Sequence, residues 1–460
     1  MLPPIIFGIA IGVGFLAGAC SGSDKAKEDS GPDADADVDT DADTDTDTDT
    51  DTDVDTDTDT DVDTDADTDT DTDVDTDSDT DTDVPNPCVR DGFNALFFEC
   101  SQGSDDCSLI DLDISGNTLS FMSTFPLDNR GGKIGVGASD PLSPTSHQFF
   151  DSIDDAYAGT DDLHPVQMVE LDGGEFLVPF ENSAFASGVS VYDPLGTILQ
   201  SELLSTVSVG GFLFIDPVEV RSGLSLGGRL YFAVAESITG TGLMLSYAQA
   251  IDGTLDQGDV DFPVFASGDY PVAIEHLGGD LVAMLNSEGE GAASIDIVDT
   301  AEVDPADAVI ATIPLSALSA DILCEIKLTE DFAYAVVAGD ASWLYFVDMA
   351  GESQVGSISL AAHGAVMDVT VLGDMAFASV DNGAAEPDSG KVVMVDFSNP
   401  AAPSVERVID VGHGMGAIAV HASGTVYVAA KSCWGEAADD SLPMWRIVAF
   451  DPSLVTVDDV

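Results

Sequence analysis

Basic residues are scarce in this chain of 460 residues, where 12 Lys plus Arg stand against 86 Asp plus Glu and give a formal charge of -74. So negative a chain repels phosphate backbones and anionic bilayer surfaces, which excludes nucleic acid as a partner. Cysteine is also sparse, with six in all. No C-x-x-C pair occurs, so a structural zinc site is not expected. No helical spacing of apolar residues interrupts the second half of the chain, which reads strand after strand. With 44% hydrophobic residues there is still ample material for a core.

The N-terminus has an apolar run from Ile5 to Leu16, too short to span a bilayer and followed by small residues. Residues 1–19 are read as an export signal. The ending Leu16-Ala17-Gly18-Ala19-Cys20 resembles a bacterial lipobox. That resemblance implies acylation of Cys20, membrane attachment only through this lipid, and, with Ser21 next, the outer membrane or cell surface. From Asp33 to Asp83 every odd-numbered residue is aspartate, with Thr at most positions between them and neither Gly nor a basic residue. Such a tract has nothing apolar to bury and its charges repel, so residues 20–87 are expected to be a disordered acidic stalk. At roughly 3 Å per residue it would reach about 150 Å. Calcium loops also place Asp at every second position, but they need a Gly at the turn that this tract lacks.

Residues 88–460 carry a repeat. Val366–Val371, Met375–Val380, Lys391–Asp396 and Ser404–Val411 read as four short strands joined by turns at Gly373-Asp374, 381–389 and Asn399-Pro400. Third strands ending in aspartate recur at Asp193, Asp299, Asp348, Asp396 and Asp451. Second strands recur at Glu175–Val178, Arg229–Phe232, Asp280–Ala283, Asp331–Tyr334 and Thr425–Val428. Asn94–Phe98 with Ser108–Ile114 reads as a shorter copy, and 132–160 as a degenerate one. A four-strand unit of about 45–50 residues is what a β-propeller blade needs. The expected fold is therefore all-β: one propeller of about seven four-stranded blades, closed so that no long sheet edge stays free. A row of β-sandwiches is the competing architecture. The turn–strand–turn grammar, such as Gly-Asp-Met-Ala-Phe-Ala-Ser-Val followed by Val-Val-Met-Val-Asp, resembles bacterial propellers of the YVTN and LVIVD repeat families. This resemblance implies a secreted or surface scaffold without a shared catalytic set.

Beyond Cys20 lie Cys88, Cys100, Cys107, Cys324 and Cys433. Cys100 and Cys107 flank a polar hairpin tip and are the easiest pair. Cys324, in an apolar strand, reads as a buried free thiol. Cys88 and Cys433 remain, and a bridge between them would latch the ring. His164, His363 and His413 each precede a first-to-second-strand turn by about ten residues, at one mouth of the expected channel. There they could hold a divalent or transition metal, although no cofactor is predicted. Gly223-Leu224-Ser225-Leu226-Gly227 fits a nucleophile-elbow pattern but is followed by a strand, so a hairpin is expected. Asp111–Gly116 starts like a calcium loop, but Met122 stands where the closing acid belongs.

The reading favours a monomeric binding head for a surface protein or a glycan. The alternatives are a metal-assisted propeller hydrolase, lactonase or oxidoreductase at the channel mouth, and a structural envelope component.

Overall fold

The computed structural model describes the strands between Phe93 and Phe450 and most of the short turns between them. Residues 1–92 and 456–460, the longer connections and some strand side chains lie outside the described residues. Among those residues the chain forms seven antiparallel blades and one inserted hairpin, Val207–Val209 with Phe212–Phe214. Blades 1 to 5 occupy 108–149, 163–203, 218–265, 271–314 and 323–359. Blade 6 begins at Ala365–Leu372, and its outermost strand does not stop. Ser404–Val420 runs on unbroken to become the innermost strand of blade 7, so blades 6 and 7 share one seven-stranded sheet. The fourth strand expected to end at Val411 is thus half of a longer one.

The alternation of side chains explains the stacking. Leu281–Asn286 and Met375–Asp381, the second strands of blades 4 and 6, are buried on both faces. A strand covered on both sides reads as a continuous apolar run. Outer strands such as Val309–Pro314 alternate exposed and covered positions. The core accordingly lies between blades rather than on the axis. Blade 3 packs Tyr231 and Ala233 on Ile274 and Met284 of blade 4. Blade 4 packs Leu285 and Ile295 on Ile326 and Val337 of blade 5, and blade 5 packs Val336 and Phe346 on Val369 and Ala378 of blade 6. Phe377 and Val392 of blade 6 meet Ile418 and Val448 of blade 7. Ala417, Tyr427 and Ile447 of blade 7 in turn meet Leu112 and Phe121 of blade 1.

The ring is closed by its N-terminal strand. Phe93–Glu99 pairs antiparallel with Met444–Phe450, the third strand of blade 7, and the Phe93 ring packs tilted against Phe450 at 4.9 Å between ring centroids. This corrects the expectation that Asn94–Phe98 and Ser108–Ile114 belong to one unit. They lie in different sheets, and residues 100–107, read as a hairpin tip, lie outside the described residues. The degenerate copy at 132–160 also dissolves, because Arg130–Gly135 and His147–Phe149 are the outer strands of blade 1.

The aspartates that mark the repeat have a structural task. The Oδ1 atoms of Asp299, Asp396 and Asp451 accept the backbone N–H two residues on, and that of Asp348 accepts from Gly351, at 2.8–2.9 Å. Each carboxylate shapes the turn that leaves a third strand, an Asx-type turn, and in blades 4 to 6 that turn leads back to the fourth strand. In blades 4 to 6 the residue after the aspartate donates its N–H to the turn between the first two strands, as Phe397 does to Asp374 O at 2.9 Å.

Candidate functional site: an ionised axis

The innermost strands of several blades share a local irregularity. The register slips by one residue between Leu109 and Asp111, Val220 and Ser222, Pro271 and Ala273, Leu323 and Glu325, and Val366 and Asp368. A bulge at this place re-aims the side chain that follows it. Several of those side chains then reach across the blade boundary. Asp111 Oδ2 accepts Met168 N–H of blade 2 at 2.7 Å, and Gln167 Oε1 accepts Gly223 N–H of blade 3 at 2.8 Å. Ser222 Oγ accepts Ile274 N–H of blade 4 at 3.3 Å, and Asp368 Oδ2 accepts Ile418 N–H of blade 7 at 2.9 Å. Each bond ties a side chain of one blade to a backbone donor of another and leaves that donor paired.

One cation sits among these groups. Lys327 Nζ, from the inner strand of blade 5, lies 3.2 Å from Oε1 of both Glu275 and Glu325. The fields of Asp368 and Asp111 also reach it, so the ammonium gathers carboxylates from blades 1, 4, 5 and 6. Burial alone would lower the Lys327 pKa, but Glu325, Glu275, Asp368 and Asp111 together raise it well above its usual value. The excess of carboxylates has the opposite cost. Burial pushes the Asp111 carboxyl up to about 7, against the pull of the Met168 N–H. Burial and then the Glu325 charge push Asp368 up to about 8, and burial also raises Glu275. Side-chain exposures of 28–32% for Lys327, Glu275 and Glu325 show that water still reaches the axis although protein surrounds it. The arrangement can bind the blades together and titrate near neutral pH.

The histidines expected at the channel mouth each fall at or just before the start of an innermost strand, of blades 2, 6 and 7. His363 lies in the turn before blade 6, with its N–H donated to Leu360 O at 2.7 Å. His413 lies inside the long shared strand, with Nδ1 2.7 Å from Ser389 Oγ. His164 forms part of the short strand Leu163–Pro165, opposite Glu181, and its side chain is outside the described residues. Among the described residues no group of three or more His, Cys, Asp or Glu is placed to hold a metal ion. The His-Gly pairs have a backbone reason. Gly364 has φ +141°, and a Cβ there would come within 2.6 Å of the Asp381 backbone. Gly364→Ala should therefore cost about 2–4 kcal/mol in urea unfolding, since both strain and overlap oppose it.

Cys324 corrects the expected free thiol: it is disulfide-bonded. Its partner must be one of the other five cysteines, so a Cys100–Cys107 pair, a Cys88–Cys433 pair and a lipidated Cys20 do not all hold together. Cys20, Cys88, Cys100 and Cys107 lie outside the described residues, as does the Cys433 side chain. Gly223–Gly227 is strand running into the tight turn at Gly227-Gly228, as expected of a hairpin. The Asp111–Gly116 stretch is likewise strand and turn.

The axial cluster was missed at the sequence level, although a signal was present. Leu109-Ile110-Asp111-Leu112, Leu323-Cys324-Glu325-Ile326 and Val366-Met367-Asp368-Val369 each set one acid inside an apolar first strand, at the same place in the blade.

No family model matches this sequence, and no curated protein matches it. Solved structures do resemble its fold. One is described as the structure of U3-55K (11% identity, 78% of this chain and 98% of that one, TM-score 0.52). Another is the RRP9 WD40 repeats (10%, 78% and 97%, TM-score 0.52). A third is a chain of the mitotic checkpoint complex (12%, 77% and 93%, TM-score 0.51). At such identities the likeness is one of architecture, and it agrees with the strand pairing: this chain is an all-β propeller similar in fold to WD40-repeat domains.

Proposed function

We propose that this propeller is a protein-binding module, carried on the acidic stalk and anchored through an acylated Cys20 at the outer membrane or cell surface. The observation that carries the binding reading is the commitment of the axial polar groups to one another. Asp111, Gln167, Ser222 and Asp368 hold neighbouring blades, and Lys327 is paired with Glu275 and Glu325. Recognition is then left to the rims. One rim, built from the first-to-second and third-to-fourth strand turns, exposes Asp304, Asp307, Glu330, Asp331, Glu352 and Asp374. Phe332 (38% exposed) and Leu454 (66%) stand among them. Carboxylates around isolated apolar side chains suit a basic protein surface, with charge steering the encounter and the apolar groups contributing area. A glycan partner is the second reading, and it would be far less sensitive to salt.

A photo-crosslinking residue in place of Phe332, on intact cells, should trap a protein partner. Trapping should fade as salt rises and fall at least tenfold in a Glu330→Lys, Asp331→Lys, Glu352→Lys variant. Trapping no stronger than from Ser357, exposed on the outer strand of the same blade, would remove this rim as the binding face. The anchor has its own assay. Cys20→Ser should move the protein from membranes to the medium, and undiminished membrane retention would defeat the lipid attachment.

A further inference from the structure

The residues nearest the stalk in sequence are not appended to the ring; they close it. Phe93–Glu99 is the outermost strand of blade 7, paired in unbroken register from Phe93 opposite Phe450 to Glu99 opposite Met444. The two strands are antiparallel, so the N-terminal end of the first lies beside the C-terminal end of the second. Phe93 is buried in the same apolar cluster as Phe450 and Val455. A pull that enters at residue 93 while the far end of the protein is held therefore acts across the ladder at its open end. It loads one hydrogen-bonded pair at a time, beginning at the Phe93–Phe450 contact, instead of shearing all seven residues together. Among the described blades, blade 1 is not loaded in this way first. The inner strand of blade 1, Ser108–Ser115, lies beyond the closing strand, locked into a four-stranded sheet and packed on blade 7.

We infer that Phe93–Glu99 is a tension-sensitive latch. Force on the N-terminal tether peels this strand from Met444–Phe450 and opens the seam between blades 7 and 1 before any other part of the ring yields. Opening leaves the Met444–Phe450 edge with unpaired backbone groups, which drive reclosure when tension falls. The physiological role rests on the proposed tether. The mechanical property is intrinsic to the ring, and membrane release of Cys20→Ser reports separately on the anchor.

The test is optical-tweezers unfolding of the full chain held by its two termini, in reductant so that cysteine cross-links do not shorten the release. A first, reversible extension of about 50 Å is expected. It corresponds to roughly 15 residues between Phe93 and the blade 1 strand at close to 3.5 Å each, and it precedes the much longer rupture of the ring. Phe93→Ala should lower the force of that first step and leave the rupture force unchanged. Moving one handle from the N-terminus into the exposed Gly227-Gly228 turn should abolish the step, because tension then bypasses the closing strand. A first event already as long as the ring, or a 50 Å step that survives the moved handle, overturns the latch.

Discussion

Lys327→Met is expected to lower the stability of the propeller at pH 8 by about 3 kcal/mol. Removing one partner of a buried ion pair costs 3–5 kcal/mol because the remaining charge stays buried without compensation. The low end applies here because water reaches the Lys327 side chain, which is 32% exposed. Methionine keeps the unbranched apolar stem, so the change is chiefly in charge. Four carboxylates, Glu275, Glu325, Asp368 and Asp111, lose their common counter-ion at once. Each belongs to an inner strand, so their repulsion acts to push blades 1, 4, 5 and 6 apart. The deficit should shrink as the solution is acidified toward pH 5, because protonation then does what the ammonium did. Urea unfolding at pH 8 and pH 5 measures both effects. A loss under about 0.5 kcal/mol at pH 8 would show that the axis does not depend on this cation.

The unsubstituted protein is expected to be more stable at pH 5 than at pH 8.5, by a few kcal/mol in all and about 5 °C in Tm. The sign follows from the direction of the shifts. Asp111 and Asp368 titrate near 7 and 8 in the ring, above the ordinary aspartate value, so the folded state holds more protons than the unfolded chain between about pH 4 and pH 8. Their stabilising contribution is fully present below pH 4 and is lost as the pH rises through 7 and 8. Two carboxylates at strand and turn ends work in the opposite sense. Thr329 and the Ala333 N–H lower Asp331, and the Ser398 N–H lowers Asp396, so their contribution disappears as the pH falls through their folded values. Maximum stability should therefore lie near pH 5. An Asp111→Asn, Asp368→Asn variant keeps carbonyl oxygens for Met168 and Ile418 and should flatten the profile between pH 5 and 8.5. A profile as steep in this variant as in the parent would assign the dependence to the net charge of the whole chain instead.

Much of the architecture could be read without coordinates because its signals are local. A turn that needs a carboxylate at a fixed place repeats that carboxylate, so Asp299, Asp348, Asp396 and Asp451 marked the blades before their bonds were known. Strands covered on both faces must be apolar throughout, which is why Asp280–Ala283 and Met375–Val380 stand out in the sequence as second strands, close to the observed Leu281–Asn286 and Met375–Asp381. Errors arose where pairing is long-range. Phe93–Glu99 looks like any first strand, and nothing in its residues says that its neighbour lies some 350 positions later. Asp331–Tyr334 was read as strand, yet Phe332 sits in the turn with φ +56°, a conformation its side chain does not announce.

The order of apolar runs, acidic turns and glycines thus determined that this chain forms many small antiparallel sheets, because those preferences act over a few residues. Only the tertiary structure decided which strand seals the circle and which carboxylates share Lys327. Both depend on stacking that brings distant segments to a common axis, where the cost of buried like charge first appears.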